Sequence, residues 1–377
     1  MITNCVSQDH ALSLEDTASL QKVKPTNRVA DFNYALEIQT VPSPSSISHG
    51  FAIDHLNTLL EQEIVKYAAI SPYTKDAPSE SSDFIGEDCR RKICEWNYAV
   101  VDYYCFDREV TSVSLYYLDR LASSAISSGK NVGRREFQLM SLASLFVALK
   151  VHGEIDPSLT SRRRKIPLKT FVDLTHGIFS GEEIVEMEKE IFETLSWRIN
   201  PPSAIRFLHY ALHNFLAPAL PDRPHLGNVI RKIYEVSRYL TEMAVCSSEA
   251  FVRYKQSVVA LAALSNVIEV SDMFGVFSLE SKLFCSKLTE VTSFFKADIT
   301  EVRLVSGILS ELCPNLRTHF AELTHFRPVS PCTPVPKSSE SSGCPTGKRS
   351  PNCVTENADD TDHNTHRAVK RGRTSPF

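Results

Sequence analysis

Two stretches of this chain are apolar on every side of a helix. The first holds Phe137, Leu139, Met140, Leu142, Ala143, Leu145, Phe146, Val147 and Leu149. The second holds Val258, Val259, Ala260, Leu261, Ala262, Ala263, Leu264, Val267 and Ile268. A helix with no polar face has to be enclosed by other elements. The two stretches lie about 115 residues apart, and each is third in a run of five segments with helical spacing. This predicts a duplicated five-helix unit with divergent sequences. The competing reading is one large, irregular helical domain.

The flanking segments follow the same logic. Asp54–Ile70 has helical spacing through Leu56, Leu59, Leu60, Ile64 and Tyr67. Helices are expected at Ile93–Phe106 and Arg108–Ile126, with Asp107 ending one and capping the next. Ser127-Ser128-Gly129 breaks the second, and the first apolar helix runs Arg134–Val151. Ile166–His176 is a short fourth helix. Ser180-Gly-Glu-Glu183 reads as a capping box opening a fifth that reaches Trp197. Asn200-Pro201-Pro202 stops the pattern. It then returns in Ser203–Leu216, Leu226–Val245, Glu249–Val270, Leu279–Leu288 and Asp298–Cys313. The expected organisation is a disordered region over 1–50, an N-terminal helix and linker over 51–87, and helical units at 88–200 and 201–318. A disordered Ser/Thr-Pro tail over 319–377 completes it.

Composition removes several function classes. Glycine numbers 13 of 377, about half the usual share, which favours helices over tightly turned sheets. A net charge of −4 leaves no global nucleic-acid footprint. The ten cysteines are scattered and form no CxxC pair, which points to a reducing compartment and away from zinc ribbons or disulfide scaffolds. No run reaches the ~18 apolar residues of a membrane span, and the first residues lack a basic stretch followed by an apolar one, so no secretory leader is expected. A soluble, intracellular protein is expected. There is no Gly-rich phosphate loop, no HExxH and no HRD-type kinase motif, so catalysis is not expected. His209 and His213 share a helix face at i, i+4. Without nearby Cys or acid ligands they read as packing histidines, and neither metal nor cofactor is expected.

Arg90-Arg91-Lys92-Ile93-Cys94-Glu95-Trp96 followed by Tyr116-Tyr117-Leu118-Asp119-Arg120 resembles the first half of the cyclin box. Phe137-Gln138-Leu139, Ala148-Leu149-Lys150, Met187-Glu188 and Leu195-Ser196-Trp197-Arg198-Ile199-Asn200-Pro201-Pro202 continue it in order and with cyclin-like gaps. The resemblance covers about 90–210 strongly, and the second unit by pattern alone. It implies an all-α fold: two tandem five-helix cyclin-box domains with disordered N- and C-terminal extensions. It further implies a non-catalytic regulatory subunit that binds and activates a cyclin-dependent serine/threonine kinase and helps select its substrates in cell-cycle control. Neither a direct nucleic-acid contact nor a membrane contact is implied.

The resemblance also assigns residues. Arg90 and Asp119 pair in the family, as a fork joining the first two helices. Lys150 and Glu188 match the kinase-contacting pair, with Ile191 and Phe192 beside them in a kinase-facing apolar patch. Ile93 and Trp96 match the apolar floor, and Arg134 and Gln138 the polar wall, of a groove for Arg-x-Leu substrates or inhibitors. The chain departs from the family pattern at Cys89, where methionine is usual, at Lys92, usually apolar, and at Ala99, usually acidic. Val151-His152 replaces a usual aromatic and acid.

Outside these elements, Arg162-Arg163-Arg164-Lys165 reads as a solvated basic loop. Residues 76–88 are acidic and Ser-rich enough to suggest turnover control. Ser330, Thr333, Ser350 and Ser375 each precede proline, the minimal pattern for proline-directed kinases. Arg367 and Lys370-Arg371-Gly372-Arg373 resemble a nuclear import signal, so nucleus and cytoplasm are the expected locations. Two other readings stay open: a cyclin-fold transcription regulator, and a helical adaptor without a kinase.

Overall fold

A computed structural model describes residues 46–70, 72–73, 85–153, 166–219, 224–273 and 281–318. The expected basic loop at 162–165, the tail phosphosites, the import-like cluster, most of 1–50 and most of the acidic stretch lie outside the described residues.

Every regular element among the described residues is helical. The first unit comprises α2 (Glu87–Tyr103), α3 (Glu109–Ser127), α4 (Arg134–His152), α5 (Leu168–Leu174) and α6 (Gly181–Thr194). The second comprises α7 (Ala204–Tyr210), α8 (Pro224–Val245), the short α9 (Ser248–Arg253), α10 (Gln256–Met273), α11 (Ser281–Phe294) and α12 (Ile299–Leu312). α1 (Ser46–Val65) precedes both. No described helix is long and apolar enough to cross a membrane.

The two all-apolar stretches become α4 and α10, and each is the axis of one core. In α4, Phe137 and every residue from Leu139 to Leu149 are buried. α2, α3, α5 and α6 pack around it. In α10, every residue from Ser257 to Leu264 is buried, enclosed by α7, α8, α9, α11 and α12. Burial of a Leu or Phe side chain stabilises by roughly 1.5–3 kcal/mol. The apolar surface of these two helices is therefore the dominant driving force for placing their neighbours.

Where helices end differs from expectation in an instructive way. The fifth helix was expected to reach Trp197. It stops at Thr194, where Ser196 (φ 48°) and Trp197 (φ 61°) turn left-handed. Trp197 N–H donates to Phe192 O and Ser196 N–H to Glu193 O, both at 3.0 Å, the paired bonds of a Schellman motif. The same bond pattern closes α2 at Cys105 (φ 59°), α3 at Gly129 (φ 82°), α5 at His176 (φ 51°) and α11 at Lys296 (φ 51°). Glycine takes only one of these positions, so the usual stop signal is missing at the others. The capping box at Ser180 is formed, with Glu183 N–H donating to Ser180 Oγ (3.2 Å) and Ser180 N–H to Glu183 (2.8 Å). Asp107 Oδ1 accepts from Glu109 N–H at 2.7 Å at the start of α3, whose N-cap position is Arg108 rather than the expected Asp107.

Three further elements need correcting. The expected Glu249–Val270 helix is two, α9 and α10, parted at Tyr254, whose backbone is extended. Each half has a foreign carboxylate at its start. Glu87 of α2 accepts from Ser248 N–H (2.7 Å) and its hydroxyl, and Glu63 of α1 accepts from Ser257 N–H (2.9 Å) and Oγ (2.5 Å). The break frees the Ser257 N–H to be capped by the Glu63 carboxyl, a bond that one continuous helix could not make. The expected Ser203–Leu216 helix begins as α7 but widens into a π-helix over Ala211–Leu216. α1 starts at Ser46 rather than Asp54 and ends at Val65, and it packs through Leu56 and Leu59 on the second core, not the first.

Candidate functional site

The Arg90–Asp119 fork is fully formed and buried. Arg90 Nε and Nη2 donate to Asp119 Oδ1 and Oδ2 at 2.8 and 2.7 Å, and side-chain exposures are 0% and 3%. Two partners were not legible in the sequence. Arg90 Nη1 donates to the carbonyl of Val245 at the end of α8 (2.8 Å), and the Tyr73 hydroxyl donates to Asp119 Oδ1 (3.0 Å). Burial alone pulls the guanidinium pKa down, but Asp119 outweighs it and holds Arg90 firmly charged. Burial and the Asp119 carboxylate push the Tyr73 phenol well above its usual range. The fork thus joins α2 and α3, as its pairing implied, and also pins the second unit.

Lys150 ends α4 and Glu188 sits midway along α6. Lys150 Nζ meets Glu188 Oε1 at 2.5 Å and lies 4.9 Å from the centre of the Phe146 ring. The lysine is 49% exposed and the glutamate 13%, so the pair lies at the surface with its acid recessed. Phe146 is itself wedged edge-on against Phe171 of α5, which fixes the platform beneath the ammonium. Phe192 lies one turn beyond Glu188 on the same face of α6. It stacks on Trp197 with ring centres 4.8 Å apart at 19°. Trp197 is 72% exposed. The Schellman turn makes this patch, because it folds the residue after the helix back over the helix's last turn. Trp197 as a surface aromatic was missed by sequence reasoning. The signal for it was an apolar residue five positions after Phe192.

Ile191 does not belong to that face. It is completely buried in the first core, between Ile184, Met187 and Leu195 on the inner side of α6. Its expected place in a kinase-facing patch is therefore corrected to core packing. The i, i+1 step from Ile191 to Phe192 turns about 100° around a helix, which sends the two side chains in different directions.

The groove residues are only partly united. Ile93, Arg134 and Gln138 line one shallow cleft of ≈ 320 Å³ with Ile85, Cys89, Lys92 and Phe137. Trp96 does not line it and instead packs half-buried against the first core. The cleft floor is Ile93 and Cys89, one turn apart on α2 and both buried.

His152, at the end of α4, shares the carbonyl of Ile199 with the Tyr117 hydroxyl, at 2.8 and 2.5 Å. A carbonyl accepts only, so His152 carries its proton on Nε2 here. His209 and His213 have ring centres 4.4 Å apart and share Tyr234 as an aromatic neighbour. Among the described residues, no group of three or more His, Cys, Asp or Glu is placed to hold a metal ion.

Residues 54–200 match the family model described as "Cyclin, N-terminal domain". The chain is 24% identical over 221 residues to the G2/mitotic-specific cyclin-A of Drosophila melanogaster, covering 58% of this chain and 38% of that one. It is 25% identical over 276 residues to Cyclin-A2 of Xenopus laevis, covering 73% and 52%. A solved viral cyclin from herpesvirus saimiri superposes with a TM-score of 0.45 at 16% identity, covering 69% of this chain and 96% of the other. The chain spans about half the length, or less, of these curated relatives. The motif order from Arg90 to Pro202, the formed Arg90–Asp119 fork and the match over 54–200 agree: this part of the chain is similar to the N-terminal domain of cyclins.

Proposed function

We propose that this chain is the regulatory subunit of a cyclin-dependent serine/threonine kinase, which it binds and activates and whose substrates it helps select in cell-cycle control. The observation that carries this is the surface built by Lys150, Glu188, Phe192 and Trp197. It combines one cation held over an aromatic ring, a recessed acid facing it, and an exposed Trp197 ring stacked on the half-buried Phe192. Such a surface suits a mobile helix of a partner. The lysine donates to backbone carbonyls, the acid accepts backbone N–H groups, and the aromatic pair covers apolar side chains. The chain supplies no catalytic group. It binds the kinase better when the kinase's regulatory helix is held inward, and so shifts the kinase toward the state whose Lys–Glu ion pair is complete.

Substrate choice in this reading involves the cleft at Ile93, Arg134 and Gln138, taking Arg-x-Leu peptides. Residence in nucleus and cytoplasm belongs to the same reading and is tested by imaging a tagged chain with and without residues 367–373.

The deciding experiment is affinity isolation from dividing cells followed by a protein phosphorylation assay on the isolate. The expected result is a co-purifying serine/threonine kinase with activity that depends on this chain. Lys150→Ala with Glu188→Ala should abolish both co-purification and activity while circular dichroism stays unchanged. A double variant that binds and activates the kinase normally rules the assignment out.

A further inference from the structure

α2 presents three residues, each one turn from the next, to the end of α8. Arg90 Nη1 donates to Val245 O, and the Tyr98 hydroxyl donates to Glu242 O at 3.3 Å. Between them is Cys94, completely buried, with its sulfur 3.3 Å from that of Cys246. Cys246 follows α8 directly and is partly exposed. The two sulfurs are separated by 152 residues of chain and come from opposite units of the fold. A disulfide needs about 2.05 Å between sulfurs, a closure of roughly 1.3 Å that side-chain rotation of a residue just past a helix end can supply.

We propose that Cys94 and Cys246 form a modification site, a thiol pair that peroxide converts into a disulfide bolting the two helical units together. The flanking contacts hold the two backbones in register, so the pair is brought together before any oxidant arrives. The two thiols also differ in chemistry. The contact with Cys94, with Arg90 and Arg108 nearby, holds the Cys246 thiol below its ordinary pKa against the effect of burial. Burial and the same contact push Cys94 well up. Cys246, partly exposed, is therefore the thiol that meets the oxidant, and the buried Cys94 the one that resolves the product.

The chemistry balances with hydrogen peroxide as the oxidant. The Cys246 sulfur gives up its proton and attacks one peroxide oxygen, the O–O bond breaks, and the departing hydroxide takes up that proton to leave as water. Cys246 is then a sulfenic acid. Cys94 attacks its sulfur, the S–S bond forms and the S–O bond breaks, and the Cys94 proton goes to the leaving hydroxide as a second water. Two thiols are oxidised and one peroxide is reduced to two waters.

The test uses the full chain with all its cysteines. It is exposed to graded hydrogen peroxide under native conditions, denatured in N-ethylmaleimide, digested without reductant and mapped by mass spectrometry. The expected product is a peptide pair joined through Cys94 and Cys246, two hydrogens lighter than its halves. Dithiothreitol should release it, and it should form while the far-UV circular dichroism is unchanged. The oxidised protein should melt several degrees above the reduced one, and Cys246→Ala should show no such difference. Recovery of both residues as alkylated thiols, at peroxide concentrations that oxidise the exposed Cys105 and Cys285, overturns the proposal. So does a 94–246 link that appears only as helical signal is lost. The mapping of the unmodified sequence decides the matter even if the variant does not fold.

Discussion

Replacing Asp119 by alanine should be among the most damaging single changes in this chain. Three hydrogen bonds end on its carboxylate: Arg90 Nε at 2.8 Å, Arg90 Nη2 at 2.7 Å and the Tyr73 hydroxyl at 3.0 Å. After the change Arg90 stays charged and fully buried, with only the Val245 carbonyl as a hydrogen-bond acceptor. Breaking a buried ion pair from one side costs about 3–5 kcal/mol, and stranding a buried hydroxyl about 1–3 more. The losses overlap, so about 4–6 kcal/mol is expected, a large share of the ~5–15 kcal/mol that holds a domain folded. With a urea dependence of about 3 kcal/mol per molar, the midpoint should fall by about 1.3–2 M. Because Arg90 also holds the end of α8, both helical units should lose stability together in far-UV circular dichroism. Arg90→Met with Asp119→Leu removes the charges as a pair and should cost less than Asp119→Ala alone. What remains is the stranded Tyr73 hydroxyl and Val245 carbonyl, about 1–3 kcal/mol. A midpoint drop below about 0.3 M for Asp119→Ala would refute the reasoning. A biphasic curve in which only the first unit shifts would refute the claim that the fork spans both.

Lys150→Ala should change stability by no more than about 1 kcal/mol in urea unfolding, since half the lysine side chain faces water and the pair is screened. Glu63→Ala should lower stability by about 0.5–2 kcal/mol, because it removes the cap on α10 at Ser257. Burial raises the Glu63 pKa, so its contribution is complete below about 4.5 and fades as pH rises through the raised value. Unfolding midpoints of Glu63→Gln should accordingly vary less with pH just above 4.5. Burial and then His209 lower the His213 pKa from 6.5 to about 4, so its contribution is complete above 6.5 and lost as pH falls toward 4. The upper bound is about 3 kcal/mol, reduced by partial solvent access. His213→Phe should flatten melting temperature against pH across that window. Gln138→Ala should weaken binding of an Arg-x-Leu peptide by up to about tenfold in a fluorescence titration, whereas Trp96→Ala leaves it nearly unchanged.

How much the sequence revealed depends on the range of the physics involved. The cores were legible because the apolar character of 137–149 and 258–268 is a local property that admits only an enclosed helix. The capping box at Ser180 was legible for the same reason, since both of its partners lie within four residues. The end of α6 was not, because Ser196 and Trp197 adopt left-handed backbone that their side chains do not advertise. The break between α9 and α10 was not, because the carboxyl that caps α10 after it is Glu63, 194 residues away from Ser257.

The candidate site divides along the same line. Lys150 and Glu188 could be named from motif order, and their 2.5 Å contact follows from α4 and α6 packing in one core. Ile191 and Phe192 could not be told apart without the phase of α6, which only the buried Ile184 and Met187 fix. Once that phase is set, Glu188 and Phe192 share the outer face and Ile191 the inner one. The Schellman turn then adds Trp197 to the outer face. It follows that the apolar half of this surface depends on backbone geometry as well as on residue type. Ser196→Pro illustrates the point, since it touches neither ring. Proline cannot adopt the left-handed conformation at 196 and has no N–H to give Glu193 O. It should therefore dislodge Trp197 from Phe192, seen as a shift of tryptophan fluorescence, while leaving the Lys150–Glu188 contact in place. An unchanged Trp197 signal in that variant would show that the stack forms independently of the turn.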